Sequence, residues 1–190
     1  MTQYESKTTN GYDLFEVVSA FQKCIRRNLE DDAIFWAVEL SLSNYQEYAW
    51  KRLRIISSED IGLAEPNISS EIAALYEMHK DLAKKKDDKH FPERLFLIHA
   101  VIKLCRARKS RHIDWQTVYA FGCHSNRLRP IPDFALDKHT RKGKKLGRGF
   151  GHFIEEGCKL EPFHPTDGED ESLENAKKAL TGECHGGLFE

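Results

Sequence analysis

Residues 48–66 read YAWKRLRIISSEDIGLAEP, and this segment predicts where several helices of the chain meet. Its apolar side chains, among them Leu53 and Ile56, recur at helical spacing, whereas its basic side chains fall on the opposite side of the same helix. Gly62 predicts the end of that helix, because glycine is common just beyond a helix C-terminus. Pro66 then suits the first turn of a following helix.

Two carboxylates of this segment, Glu59 and Asp60, stand close to the C-terminal end of the predicted helix. The helix dipole disfavours negative charge at that end. Their position is explained if arginines hold them, or if they face a ligand or a partner. We expect a structural role, in which at least one carboxylate accepts hydrogen bonds from an arginine or from backbone N–H groups.

The composition predicts a protein of one domain, or of one domain with a tail. The chain has 190 residues, 40% of them hydrophobic, which can support a real core. It contains no run of eighteen apolar residues and no signal peptide, so we expect no membrane partner. An odd number of cysteines without paired spacing predicts reduced thiols and a cytoplasmic location; they are Cys24, Cys105, Cys123, Cys158 and Cys184.

The hydrophobic pattern predicts an all-α bundle of about six helices, since no alternating strand pattern competes. The first two helices are predicted to start at Asp13 and Asp31, and the next three to span 44–58, 66–85 and 95–105. The sixth is predicted to start at Asp114. The stretch 95–105 is apolar nearly all round, which is typical of a buried central helix. His79 and His99 lie on apolar helix faces and are predicted to be core histidines.

The net charge of −1 conceals a strong segregation of charge along the chain. Residues 94–148 contain 14 Lys and Arg against 3 Asp and Glu, whereas residues 155–190 contain 3 against 10. This pattern predicts a basic second half followed by an acidic tail. We predict a flexible N-terminus over 1–12 and a helical domain over 13–126. An irregular basic glycine-rich extension over 127–165 and an acidic tail over 166–190 follow.

Three collinear blocks resemble the region after the AAA+ core in the replication-associated recombination ATPases, bacterial relatives of the Werner-helicase-interacting protein. The first block runs from Arg52 to Ala64 and is similar to the family's RRL-x-x-x-A-SEDIGLA signature. The second covers 91–110 and is similar to PE-x-x…L-x-x-AVI-x-L-A-x-APKS. The third, over 137–151, is similar to D-x-H-x-KG-x-KKLG-x-G-x-G, without the proline- and tyrosine-rich ending of the family.

The resemblance implies a C-terminal helical and oligomerisation module. It implies a homo-oligomer, with a tetramer as the expected state, acting near stalled replication forks, single-stranded DNA or replication proteins. No G-x-x-x-x-G-K-[S/T] phosphate loop occurs in the sequence, so we expect a free-standing module without the motor, no cofactor, and a separate ATPase as a possible partner. The signature residues are Arg52, Arg54, Ser58, Glu59, Asp60 and Gly62.

A basic, glycine-punctuated stretch is the candidate nucleic-acid-binding site. Its residues are Lys138, Arg141, Lys142, Lys144, Lys145, Arg148 and Phe150. Lysine and arginine supply the salt-dependent attraction to phosphates, and Phe150 or Phe153 could stack on the bases of a single strand. The alternative is that this stretch packs against the bundle or a sister subunit, with its charges solvated.

Two further hypotheses place chemistry in the same region. Asp137, His139, His152, Glu155 and Glu156 could form a metal-dependent hydrolase site, but no nucleophile or ligand spacing selects that chemistry. A zinc set is equally weakly supported, because its members lack a paired spacing; they would be His139, His152, Cys158 and His164. The sequence therefore predicts no metal and no catalytic residue.

The predicted function is a non-catalytic oligomerisation and interaction module linked to DNA replication or repair. The first alternative is a sequence-tolerant DNA-binding accessory protein of a mobile element or phage, and the second is the hydrolase. An assembling protein should expose an aliphatic and aromatic patch, whereas a pure DNA binder should show a continuous positive stripe.

Overall fold

The computed structural model describes residues 6–84 and 90–181. By its internal contacts the chain divides into two compact units, Met1–Asn126 and Arg127–Glu190. Across the described ranges the structure is helical and contains no strand, apart from an isolated antiparallel bridge between Lys7 and Asp13. The prediction of an all-α fold is confirmed.

Six helices build the first unit, as the sequence predicts. They are α1 (Leu14–Arg26), α2 (Glu30–Leu42), α3 (Gln46–Ile56), α4 (Ile68–Ala83), α5 (Glu93–Arg106) and α6 (His112–Gly122). Asp13 caps α1, because its carboxylate accepts hydrogen bonds from the backbone N–H groups of Phe15 and Glu16 at 2.9 and 3.0 Å. Helix α6 begins at His112, two residues before the predicted start.

Asparagines end the first two helices and allow tight reversals of the chain. Asn28 and Asn44 adopt positive φ angles of 56° and 64°. The backbone N–H of the residue after each asparagine then donates to a carbonyl one turn back, from Leu29 to Cys24 at 2.9 Å and from Tyr45 to Leu40 at 2.8 Å. These short connections bring α1, α2 and α3 together.

The core of the first unit is centred on Trp50 of α3, whose side chain is fully buried. Its ring lies 5.3 Å from the ring of Tyr76 and 5.0 Å from that of His79. His79 is buried as predicted, and its Nδ1 lies 2.9 Å from the carbonyl oxygen of Glu93. The other fully buried large side chains include Phe21, Ile25, Leu40, Leu53, Ile56, Ile61, Ile72, Leu97 and Leu104.

Helix α5 is buried on one side only, so the prediction of an all-round buried helix is wrong. It packs against α2 and α4 through residues such as Leu97 and Val101. Leu95, in contrast, is 71% exposed, and His99 is also exposed. The prediction of a core position for His99 is therefore wrong, because it lies on the face of α5 that no helix covers.

Helix α3 ends at Ile56, two residues earlier than predicted, and a wider turn of the π type follows over Ser57–Ile61. Gly62 stops this turn with a φ angle of +48°, and a short 3₁₀ turn covers Gly62–Ala64. A Cβ atom added to Gly62 would lie 3.0 Å from the side chain of Ile113, so glycine also permits the close approach of α6.

The second unit has little regular structure beyond short helical segments. A 3₁₀ turn over Asp133–Ala135 precedes α7 (Arg141–Lys145) and α8 (Phe150–His152). A π-type turn over Phe153–Gly157 follows, and α9 (Glu169–Leu180) comes last. Helix α9 thus occupies part of the segment that is predicted from the sequence as an acidic tail.

Parts of three predicted segments lie outside the described residues. They are 1–5 of the predicted flexible N-terminus, residue 85 at the end of the predicted helix over 66–85, and 182–190 of the predicted acidic tail. Nearer the first helix, the backbone N–H of Thr9 donates to Ser43 at 2.8 Å, and that of Asn10 donates to the buried Glu39 at 3.0 Å. Among the described helices, none is long and apolar enough to cross a membrane.

Candidate functional site

Asp60 is the centre of a buried charge cluster in the first unit. Its side chain is fully buried, and its carboxylate accepts hydrogen bonds from Nε and Nη2 of Arg26 at 2.8 and 3.1 Å. Nη1 of Arg111 donates to the same carboxylate at 2.6 Å. Two charged donors thus compensate the loss of water around this anion.

Glu59 extends the cluster toward the surface. Its carboxylate accepts hydrogen bonds from Gln22 at 3.0 Å, from Arg26 at 3.2 Å and from Arg111 at 3.3 Å. Arg52 lies 3.9 Å away and also bonds to Gln22. Arginines thus donate to both carboxylates, where the sequence predicts such a hydrogen bond for at least one of them.

The signature residues divide into two groups. Arg52, Glu59, Asp60 and Gly62 surround the charge cluster or end the turn beside it. The other two face α4. The guanidinium of Arg54 lies 4.5 Å from the ring centroid of Tyr76, and the hydroxyl of Ser58 lies 3.4 Å from that of Ser69.

Sequence reasoning missed Arg26 and Arg111, which lie outside the signature. Arg26 is 34 residues before Asp60, and Arg111 is 51 residues after it. The available signal was indirect. Two acids at the wrong end of a helix require cationic partners, but nothing in their spacing selects these two arginines from the basic residues of the chain.

The connection between α5 and α6 is tied to this cluster through its backbone. The N–H of Ser110 donates to the carbonyl oxygen of Asp60 at 2.9 Å. The ammonium group of Lys109 donates to three carbonyl oxygens at the end of α5, those of Leu104, Cys105 and Ala107, at 2.6, 2.7 and 2.8 Å. Burial lowers the pKa of Lys109, and these carbonyls satisfy all three of its N–H groups.

Helix α6 carries apolar side chains on its surface and has no buried residue. Trp115, Val118 and Phe121 are 63%, 63% and 83% exposed, and Tyr119 is also exposed. Only the start of the helix is partly buried, where Ile113 packs against Gly62. The helix therefore presents an aromatic and aliphatic surface, which we call the α6 surface: Trp115, Val118, Tyr119 and Phe121.

The candidate nucleic-acid site lies in the second unit, and its centre is α7. Thr140 caps this helix by accepting a hydrogen bond from the N–H of Gly143 at 2.9 Å. Gly143 is buried, and a Cβ atom added to it would lie 1.8 Å from the carbonyl oxygen of Asp137. Glycine is thus required for this close backbone contact, which fixes a short basic helix where the sequence suggested an irregular segment.

The basic residues of the site have different environments. Arg141, Lys142, Lys144 and Lys145 are exposed, and they form no ion pair within the described part of the chain. Arg148 is bonded internally. Its guanidinium donates to the carbonyl oxygens of Asp133 and Leu136 at 2.8 and 2.9 Å and to the Asp133 carboxylate at 2.6 Å.

The aromatic side chains of the site are also in contact with its charged groups. Nζ of Lys138 lies 2.9 Å from the ring centroid of Phe150, which is 36% exposed. His139 contacts the edge of Phe153 and lies 2.9 Å from a carboxylate oxygen of Asp137. The hydrogen bond from His139 lowers the pKa of Asp137. Lys138 covers one face of the Phe150 ring.

The residues considered for catalysis do not form a recognisable site. His139 pairs with Asp137, whereas Nδ1 of His152 is buried without a hydrogen-bond partner. Within residues 6–84 and 90–181, no three His, Cys, Asp or Glu side chains are grouped closely enough to hold a metal ion.

An all-α unit with this signature and charge cluster defines a class of protein domain, the helical module that follows the core of an AAA+ ATPase. Residues 29–159 match the family described as MgsA AAA+ ATPase C terminal. This match covers more than half of the chain, so the chain belongs to that family. The resemblance found in the three sequence blocks is confirmed.

Two curated relatives are similar to this chain over about three quarters of its length. Replication-associated recombination protein A of Bacillus subtilis (strain 168) is 29% identical over 149 residues, which cover 77% of this chain and 34% of that protein. The protein of the same name from Haemophilus influenzae (strain ATCC 51907 / DSM 11121 / KW20 / Rd) is 26% identical over 146 residues, covering 73% and 30%. The chain thus spans about a third of the length of these relatives.

Proposed function

We propose that this chain is a self-assembly module of a protein that acts in DNA replication and recombination, and that the α6 surface is where its copies meet. The observation that carries the proposal is the exposure of Trp115, Val118 and Phe121 on a helix without any buried residue. Family membership supports the cellular process, since the relatives named above are replication-associated recombination proteins.

An exposed helix of this kind is unstable without a partner. Helix α6 has 11 residues, and isolated helices of that length are marginal in water. Its anchoring contacts are concentrated in its first turn, against the turns that follow α3. Burying the exposed part of each large apolar side chain contributes about 1–2 kcal/mol, so a partner that covers the α6 surface also stabilises the helix.

A second copy of this chain is the occupant that the surface fits best. In a two-fold symmetric interface the same patch of both copies meets, so a net charge on the patch would repel the equal charge on the other copy. Residues 115–122 contain no Asp, Glu, Lys, Arg or His, which makes this patch compatible with itself. The family resemblance points to a homo-oligomer, and we propose a tetramer in which α6 forms one of the interfaces.

We propose no catalytic role for these 190 residues. The sequence contains no phosphate loop, and the match is to the C-terminal region of AAA+ ATPases. Nucleotide hydrolysis would then belong to an AAA+ core with which this module works.

Sedimentation of the purified chain tests the assembly. We expect the wild type to sediment as an oligomer at micromolar concentration and the Trp115→Ala, Phe121→Ala double variant as a folded monomer, whose melting temperature is lowered only by the stabilisation that assembly gives the wild type. The matched control is Phe15→Ala on α1, which removes a phenylalanine that is 65% exposed and leaves the α6 surface intact. A wild type that sediments as one protomer at high micromolar concentration, in low and high salt, contradicts the proposal.

Binding to nucleic acid is a second candidate function, and the exposed basic residues of α7 favour it. Four cationic side chains without ion-pair partners within the described residues, on a helix fixed by Gly143, form a site for phosphate groups. The internal bonds of Arg148 and the contact between Lys138 and Phe150 leave phosphate contact as the main source of affinity.

A titration with duplex and single-stranded DNA of mixed sequence, at several salt concentrations, tests this second candidate. We expect weak sequence dependence and an affinity that falls steeply with salt. Similar affinity for the two forms indicates phosphate contact alone, whereas a clear preference for the single strand indicates that Phe150 stacks on bases. An affinity that does not change with salt contradicts binding through α7.

A further inference from the structure

We propose that Arg111 is a positioning residue for self-assembly, which transmits the geometry of the buried charge cluster to the α6 surface. This inference rests on the proposed assembly function. It assigns a role to the signature acids Glu59 and Asp60, which orient the helix that meets the second copy.

The first step in the argument is the place of Arg111 in the chain. It is the residue immediately before α6, so its backbone leads directly into the first turn. Its guanidinium donates to Asp60 at 2.6 Å and to Glu59 at 3.3 Å. The other end of the guanidinium bonds to Asp114, one turn into α6. A single planar group therefore joins the turn after α3 to the start of α6.

The second step links this group to the α6 surface itself. The guanidinium carbon of Arg111 lies 5.0 Å from the ring centroid of Trp115, within the range of a cation–π contact. Trp115 is the first large residue of the α6 surface, and it is 63% exposed. The cluster thus orients both the axis of the helix and the first aromatic ring that a second copy would meet.

The third step separates positioning from general stability. Arg26 on α1 contacts the same two carboxylates, Asp60 at 2.8 Å and Glu59 at 3.2 Å, but it forms no hydrogen bond or ion pair with the described residues of α6. Losing either arginine leaves the buried Asp60 with one charged partner. The two losses should therefore cost the bundle similar stability, whereas only the loss of Arg111 frees α6.

Arg111 is one of several links between the start of α6 and the turns that follow α3. Beside it, the Ser110 N–H donates to the carbonyl oxygen of Asp60, and Ile113 packs on Gly62. Of these three, Arg111 also contacts Trp115 of the α6 surface. Its loss should therefore loosen the start of α6, and ordering the helix again on assembly would weaken the association.

The experiment compares Arg111→Met with Arg26→Met in the full chain. Three quantities are measured for each variant: the melting temperature, the dissociation constant of the oligomer by sedimentation, and amide hydrogen exchange of residues 112–122 at a concentration where the wild type is dissociated. We expect similar losses of melting temperature in both variants when it is measured at the concentration where the wild type is dissociated. Only Arg111→Met should weaken association, by about tenfold or more, and raise exchange in α6.

A third variant, Arg111→Lys, tests the geometry of the guanidinium. Lysine keeps the positive charge but cannot bridge Asp60 and Asp114 with one planar fork, so we expect it to restore association only in part. Full restoration by lysine would show that charge alone is needed.

The outcomes distinguish the inference from the function on which it rests. If the wild type remains a protomer at all concentrations, the assembly proposal fails. If the wild type assembles and Arg111→Met associates as strongly as Arg26→Met, assembly stands and the positioning role of Arg111 is refuted. Should either variant fail to fold, Asp114→Ala removes the hydrogen bond on the α6 side alone, and unchanged α6 exchange in that variant would also refute the role.

Discussion

Each of the two compact units of this chain is stabilised internally by a different kind of interaction. In Met1–Asn126, a continuous cluster of buried apolar residues runs from Leu14 to Cys105. In Arg127–Glu190, Leu136 is the one buried hydrophobic residue within the described range. The first unit gains its stability from hydrophobic burial, which grows with the area removed from water. The second lacks that source almost entirely.

Polar contacts to the backbone take its place in the second unit. The guanidinium of Arg148 bonds to carbonyl oxygens of Asp133 and Leu136, and Thr140 caps α7. Such contacts exchange bonds with water for bonds within the protein, so each adds little net free energy. The backbone structure around α7 is therefore specific, because Gly143 and Arg148 fix it, although these contacts add little to the free energy of unfolding.

The largest effect is expected from Leu53→Ala in the first unit. Leu53 is fully buried, and a cavity in a packed core costs about 2–5 kcal/mol. Urea unfolding followed by tryptophan fluorescence measures this cost. All three tryptophans, Trp36, Trp50 and Trp115, lie in the first unit, so this signal reports its unfolding. A variant as stable as the wild type would contradict the assignment of Leu53 to the core.

Leu136→Ala is the counterpart in the second unit. Leu136 is 8% exposed but has few buried apolar neighbours, so the loss should be about 1–2 kcal/mol and confined to that unit. We expect the midpoint of the tryptophan transition to stay unchanged, while hydrogen exchange over 133–148 increases. An equal shift of the midpoint in Leu53→Ala and Leu136→Ala would show that the two units unfold as one.

Gly143→Ala should disturb α7 without affecting the first unit. The added Cβ meets the carbonyl oxygen of Asp137 at 1.8 Å, so the backbone must move at a cost of about 1–3 kcal/mol. Hydrogen exchange of 138–148 measures the change. Gly149→Ala is the control, because a Cβ there has no neighbour within 4 Å. Equal exchange in the two variants would mean that the contact with Asp137 does not hold α7.

The smallest effect on stability is expected from replacing Lys142, Lys144 and Lys145 together with alanine. These side chains are exposed, so stability should change by about 0.5 kcal/mol or less per site. The slope of log affinity against log salt for DNA should flatten by about 0.7–0.9 for each lost phosphate contact. A variant without Lys23, Lys51 and Lys84 removes the same charge from the first unit. If it flattens the slope equally, α7 is not the binding site.

Much of the fold was predictable because it depends on patterns local to each helix. The apolar face of α1, its N-terminal cap at Asp13 and the end of the turn at Gly62 all depend on residues that are close together in the sequence. The two acids of the signature also revealed their need for arginines, since their position conflicts with the helix dipole. The family itself was recognisable from short motifs, which need no knowledge of packing.

The rest depends on contacts between distant residues, which the sequence does not display. The identity of Arg26 and Arg111 as partners of Asp60 follows from how α1 and α6 pack, not from spacing. The exposure of His99 depends on which face of α5 its neighbours leave open. A helical stripe shows that a surface is apolar, but not whether the same chain covers it, and Trp115 illustrates this directly.

Asp60 uses both its side chain and its backbone, and this has a consequence for how the sequence can change over time. Its carboxylate binds Arg26 and Arg111, and its carbonyl oxygen accepts a bond from Ser110. Replacing either arginine leaves the buried Asp60 without its full set of partners. Positions 60 and 111 lie within the range that matches the family, and in its divergent members we therefore expect Arg111 to be kept wherever Asp60 is kept, as a single inherited unit drawn from two separate segments.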